Sequence, residues 1–194
     1  FWFEELEEGL GYVFVVGNIN TDGGAYTSLV AWVETPESSL ELPDVHLPRV
    51  EPLLELEPDL AELETGGGVE IEIGADAVDW AAREPCFGSV EIPQQTLVYT
   101  QIEGVEILGA WGFHFWGNSS FEPLPIRFPV RGSLECDQPV IVYAMDKELG
   151  GDDALYRNMH AVATGRLDCD LDQVVTDPGE GVDHFTWLAY GVEN

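Results

Sequence analysis

Two imidazoles and one carboxylate are the smallest set in this chain that could do chemistry. His114 and Glu122 share one stretch with Gly109, Phe113, Trp116 and Gly132, and His184 lies near the C-terminal end. Two histidines and a carboxylate converging inside a barrel make a facial metal site with open positions. Asp168, Asp170 and Asp172, with Asp177 and Glu180 nearby, form an oxygen-only set that could ligate calcium. Gln173 stands where an EF-hand loop needs glycine, so these carboxylates are expected to face solvent from a continuing strand. Asn118-Ser119-Ser120 is a glycosylation triplet, expected in a loop and useful only to an extracellular protein. His46 and His160 have no distinctive surroundings, and His160 takes the polar parity of its strand, towards solvent or an interface. The chain contains no GxSxG elbow, HExxH or P-loop. Its carboxylates are too numerous for any pair to stand out as a glycosidase dyad. No enzyme is expected.

The elements that would have to position these groups are strands. Val105, Ile107, Trp111, Phe113 and Phe115 share one parity, with Glu106 and His114 on the other, and Ile126, Phe128 and Val130 alternate with Arg127, Pro129 and Arg131. Such period-two alternation marks half-buried strands, whereas the unbroken apolar run Val140–Met145 predicts a strand covered on both faces. Tyr12–Asn20 and Tyr26–Glu34 predict a hairpin about Thr21-Asp-Gly-Gly24, whose glycines supply positive φ. Further strands are expected at Val69–Ile73, Ser89–Ile92, Leu97–Glu103, Leu155–Leu171 and His184–Glu193, with Leu155, Met159, Ala161, Ala163, Leu167 and Leu171 on one face. Residues 35–68, broken by Pro36, Pro43, Pro48, Pro52 and Pro58, read as a long acidic insertion or arm. Short helices are expected at Pro58–Glu64, before Thr65-Gly-Gly-Gly68, and at Asp76–Arg83. The whole of 1–194 is thus expected to be one all-β domain: a β-sandwich or jelly-roll-like barrel of about eight to ten strands. An immunoglobulin-like sandwich is the rival, without a Cys–Trp–Cys spacing to support it.

Charge sets the solvent. Thirty-seven acidic residues face seven basic ones, a formal charge of −30, and Lys147 is the only lysine. A field of that sign disfavours direct binding to nucleic acid and to anionic membranes. Disorder is excluded by the strands and six tryptophans, leaving a calcium-loaded extracellular protein or adaptation to molar salt. The scarcity of lysine favours salt, where self-repulsion is screened within about 3 Å. No cofactor is expected beyond structural cations held in high salt. No run approaches the roughly 18 apolar residues of a membrane span. The chain opens on Phe1 rather than methionine, as a trimmed, processed or renumbered chain would. Phe1, Trp2 and Phe3 form an aromatic hook expected to pack on the domain or on a neighbouring subunit. Cys86, Cys136 and Cys169 match no zinc or redox spacing. The parity of Cys169 with Leu167 and Leu171 predicts a buried free thiol, and a Cys136–Cys169 bridge or a bridge between subunits is the alternative.

Two resemblances follow. Gly109, His114 and Glu122, with Pro178, Gly181 and His184, resemble the two motifs of cupins, which implies a metal held by His114, Glu122 and His184. Trp116 stands where the second cupin histidine belongs, so the expected role of His114 is a polar-face residue beside a loop. In size, strand pattern and acidity, the whole chain resembles the small single-jelly-roll capsid proteins of icosahedral haloarchaeal viruses with an internal membrane. That resemblance implies a virion protein assembling with like or related subunits as a homo- or hetero-oligomer. The alternative is a haloarchaeal secreted or cell-surface sandwich binding a ligand or carbohydrate through aromatics such as Trp111, Trp116 or Trp187. Parity puts Trp111 inside, which leaves Trp116 the better candidate.

Overall fold

Alternation becomes strand in most places where it was read. The computed structural model describes residues 11–16, 20–21, 24–26, 29–34, 48–55, 62–73, 77, 86–94, 97, 100–114, 118–145 and 159–193. The first hairpin consists of β1 (Gly11–Val16), β2 (Asn20–Thr21), β3 (Gly24–Tyr26) and β4 (Leu29–Glu34). One register runs through it, from Gly11 opposite Glu34 to Thr21 opposite Gly24. Then come β5 (Arg49–Val50), β6 (Leu54–Glu55), β7 (Glu62–Glu64), a 3-10 turn at Gly66–Gly68, β8 (Glu70–Glu72) and β9 (Cys86–Glu91). The central strands are β10 (Gln101–Ile102), β11 (Val105–His114), β12 (Asn118–Leu124), β13 (Ile126–Pro129) and β14 (Pro139–Met145). The chain closes with β15 (Met159–Asp168), β16 (Gln173–Thr176), β17 (Val182–Phe185) and β18 (Trp187–Glu193). These eighteen segments exceed the eight to ten expected because predicted strands are interrupted and several segments are only two or three residues long.

The protein is all-β and β-sandwich or jelly-roll-like. Eleven strands make one antiparallel sheet, ordered β6-β9-β11-β18-β14-β15-β16-β13-β8-β7 with β10 beside β11, and it curls into a half-barrel. Three short sheets accompany it among the described residues: β1 with β4, β12 with β17, and β2-β3-β5. Part of the stretch expected as an arm belongs to this fabric, since β5, β6 and β7 all pair with neighbours. Glu62–Glu64 is strand rather than helix, because Leu63 enters the core while the glutamates on either side stay exposed. Ala77 alone of the second expected helix lies among the described residues, and Phe1, Trp2 and Phe3 lie outside them. No helix among the described residues is long and apolar enough to cross a membrane.

The middle of the sheet is buried on both faces. Val140, Val142 and Ala144 enter one cluster with Trp111, Phe113, Phe128, Leu188 and Tyr190. Tyr143 and Met145 enter a second, with Trp187 and Ala189. This is the physical content of the unbroken apolar run. Each large side chain so buried contributes roughly 1.5–3 kcal/mol relative to exposure.

A bulge in β11 corrects the parity reading. Ile107 lies opposite Gly191 and Gly109 opposite Tyr190, leaving Leu108 as the extra residue. The extra residue exchanges the two faces, because side chains alternate with period two. Val105 and Ile107 therefore join the second cluster, whereas Trp111 and Phe113 join the first. The face expected along β15 also breaks, since Ala161 is exposed and Leu171 is 52% exposed in the turn after the strand.

Cys169 is an exposed half of a disulfide rather than a buried thiol. It bonds Cys136 with an S–S distance of 2.04 Å across a sequence separation of 33. Closing a loop of that length in the unfolded chain stabilises the fold by about 3–4 kcal/mol. The bridge joins the loop before β14 to the turn between β15 and β16, and Asp137 N–H donates to the Leu167 carbonyl beside it at 2.9 Å.

Candidate functional site at the barrel seam

The structure does not assemble the metal set that the cupin motifs imply. His114 is 1% exposed near the end of β11, opposite Gly88 of β9, and so is not a polar-face residue. Glu122 is exposed on β12. His184 is buried on β17, with its Nδ1 2.5 Å from Asp183 Oδ1 and its ring stacked on His160 at 5.8 Å and 17°. His160 itself is exposed. Among the described residues, no three histidine, cysteine or acidic side chains are placed to hold a metal ion. His114, Glu122 and His184 therefore form no such group among the described residues.

The other candidates resolve individually. Asn118 stands in strand β12 opposite Phe185, not in a loop, because Asn118 and Ser119 pair with β17. Asp168 ends β15 and its Oδ1 accepts the backbone N–H groups of Asp170 and Leu171, which makes it a turn residue. Trp187 is 1% exposed and cannot line a surface, and Trp111 is buried as its inward assignment requires. Trp116 lies outside the described residues.

Chemistry instead concentrates where the curled sheet nearly meets itself. β9 and β13 stand six places apart in the strand order, yet side chains bridge them. Arg131, just beyond β13, donates Nε to Glu91 Oε1 and Nη2 to Glu91 Oε2, each at 2.6 Å. This is a two-bonded fork, the strongest arrangement available to a guanidinium and a carboxylate. The hydrogen bond from Arg131 to Glu91 is the main cause of an upward shift in the Arg131 pKa. The remaining Arg131 terminal nitrogen, Nη1, donates to its own Val130 carbonyl at 2.8 Å. Tyr190 adds a second tie: its hydroxyl accepts from Arg131 N–H at 2.5 Å and donates to the Pro129 carbonyl at 3.1 Å. Burial pushes the Tyr190 phenol up to about 12.

The tip of the β7–β8 hairpin completes the seam. Ser89 of β9 donates to the Gly66 carbonyl at 2.5 Å and lies 2.6 Å from Thr65 Oγ1. Trp111 Nε1 donates to the Gly67 carbonyl at 3.2 Å. The glycine run is required by this docking. A Cβ at Gly66 would sit 2.3 Å from the Ser89 carbonyl oxygen, and Gly67 and Gly68 each have φ of +76°. Trp111 is thereby held on its indole N–H and on its face, stacked with Tyr190 at 5.8 Å and 19°.

Beside the ion pair opens a cleft of about 410 Å³, a volume in the range of small-molecule sites. Glu91, Arg131, Gln94, Glu106 and Ser133 supply its polar rim, and Leu97, Leu108 and Val192 are among its apolar lining. Sequence reasoning missed Glu91, Ser89 and the role of Arg131. The usable signal was scarcity: with seven cations in the chain, each arginine points at a carboxylate cluster. All four described arginines are so engaged, Arg49 by Glu51, Arg127 by three glutamates, Arg131 by Glu91 and Arg166 by Asp177.

None of the protein-family models, curated proteins or solved structures compared with the chain matches it.

Proposed function

We propose that this is a structural protein of concentrated brine that acts by assembling with like or related subunits, its most specific setting being the capsid of a halophilic archaeal virus. The observation that carries the reading is the saturation of its cations. With every described arginine locked in a carboxylate pair, the charge offered outward is carboxylate, which holds water and salt and repels other polyanions. The jelly-roll-like sandwich supplies a rigid wall, and the disulfide suits a chain that matures outside a reducing cytosol. Apolar handles for subunit contact are present, the most exposed among the described residues being Phe121 on β12 at 75%. The reading assigns no catalytic step to the protein. Sedimentation velocity in about 3 M KCl, where charge repulsion is screened, should show large assemblies that Phe121→Asp dissolves. A monomer at every protein concentration would defeat the proposal.

The seam cleft favours a second reading, a secreted or cell-surface sandwich that binds an uncharged polar ligand such as a sugar. Planar hydrogen-bonding groups around an apolar lining suit a ring with hydroxyl edges and C–H faces, and the surrounding carboxylates would exclude anions. Saturation-transfer NMR with glucose, mannose and galactose on wild type and Gly132→Trp tests it. Signal from the wild type alone would support the cleft, and no signal from either would remove it.

A further inference from the structure

The β7–β8 hairpin carries charges that oppose its own pairing. Its register sets Glu62 directly opposite Glu72 and Glu64 directly opposite Glu70, with Leu63 opposite Ile71 between them. Like charges facing across an antiparallel pair destabilise it. One guanidinium answers three of the four. Arg127, on the neighbouring strand opposite Glu70, bonds Glu62 Oε1 at 2.8 Å, Glu70 Oε2 at 3.0 Å and Glu72 Oε1. Burial lowers its pKa, but the bond to Glu70 and the charge of Glu72 outweigh that, and the net shift is upward. Gln173 Nε2 adds a neutral bond to Glu70 at 2.6 Å. Four carboxylates against one cation leave the outer face of the hairpin strongly negative.

Position makes this pattern consequential. Among the described residues β7 ends the strand order and is paired on one side only, along three residues. Its inner anchors are Leu63, Val69 and Ile71, all buried in the main cluster. Its tip is the Gly66–Gly68 turn that Ser89 and Trp111 hold against the opposite end of the sheet. The hairpin is therefore a flap over the barrel seam, with attraction beneath and repulsion on top.

We infer that this flap is gated by salt: brine closes it over the seam, and dilution lifts it before the central sheet unfolds. The screening length falls from about 10 Å at 0.1 M to about 3 Å at 1 M. The cross-strand spacing of about 5 Å lies between those lengths. Molar salt thus removes most of the repulsion between the facing glutamates. It leaves the apolar anchors intact and weakens the short, hydrogen-bonded Arg127 contacts far less. The central strands β14 and β18 have no comparable charge on either buried face.

Hydrogen exchange on the full chain, read by mass spectrometry at KCl steps from about 3 M to about 0.3 M, tests this. Amides of residues 62–72 should lose at least about tenfold in protection at a salt concentration where β14 and β18 remain protected. Glu64→Gln with Glu72→Gln should move that loss to lower salt, and Arg127→Gln should move it to higher salt. Should Arg127→Gln fail to fold, the double glutamine variant decides alone. Loss of protection in residues 62–72 only together with β14 and β18, or a double variant with unchanged salt dependence, would overturn the inference.

Discussion

The central strands and the seam hold the same barrel by opposite means. At β14 and β18, side chains on both faces are apolar and buried, so the cohesion is hydrophobic and directionless. At the seam, a forked ion pair, a tyrosine hydroxyl, a serine and an indole N–H join strands that are distant in the sheet. The first kind of cohesion strengthens or holds in brine, and the second depends on charge geometry and screening. A protein with a formal charge of −30 can therefore keep a salt-tolerant centre and concentrate its sensitivity to salt along one edge.

Trp111→Ala gives the largest test, because this residue belongs to both regions. It removes a side chain 0% exposed and should cost about 3–5 kcal/mol by urea denaturation, with little change between salt concentrations. Replacing Cys136 and Cys169 together by serine should cost about 3–4 kcal/mol, an effect that reducing agent reproduces in the wild type.

Tyr190→Phe is smaller and separates the regions by pH. It should cost about 1–2 kcal/mol at neutral pH through two lost hydrogen bonds. In wild type the phenol keeps its proton up to about pH 12 when folded and loses it from about pH 10 when unfolded. The native state then binds the extra proton, so this contribution is complete below pH 10 and declines as pH rises from 10 towards 12. The variant should lack that decline in alkaline denaturation curves. The smallest effect belongs to Glu91 and Arg131, whose side chains are 37% and 36% exposed. A double-mutant cycle with glutamine at both positions should give a coupling of about 1 kcal/mol or less that shrinks as salt rises. A coupling independent of salt would place this pair with the apolar centre and blur the contrast.

Much of the centre was legible because its signal is local. Alternation placed β11, β13 and the paired strands β1 and β4, and the run Val140–Met145 showed that both faces are covered. The bulge at Leu108 was not legible, since any residue can occupy it and the consequence is a phase shift that no composition records. His114 was misread for that reason and because the end of β11 is covered where a polar face was expected. The seam was hidden for a different reason. Glu91 and Arg131 lie 40 residues apart, and in a chain with so many carboxylates nothing marks Glu91 as the partner. Thr65-Gly-Gly-Gly68 was visible, but read locally it ended a helix, whereas its conformation answers to Ser89 and Trp111 from other strands.

With Cys136 and Cys169 joined, Cys86 is left as the one cysteine in the chain without an intramolecular bridge. It begins β9, opposite Glu55 and three residues before Ser89. The sequence therefore carries a single unbridged thiol for coupling a fluorophore or nitroxide, on the strand that also holds Ser89. Motion of that edge in dilute and concentrated brine could be followed spectroscopically without engineering a new cysteine.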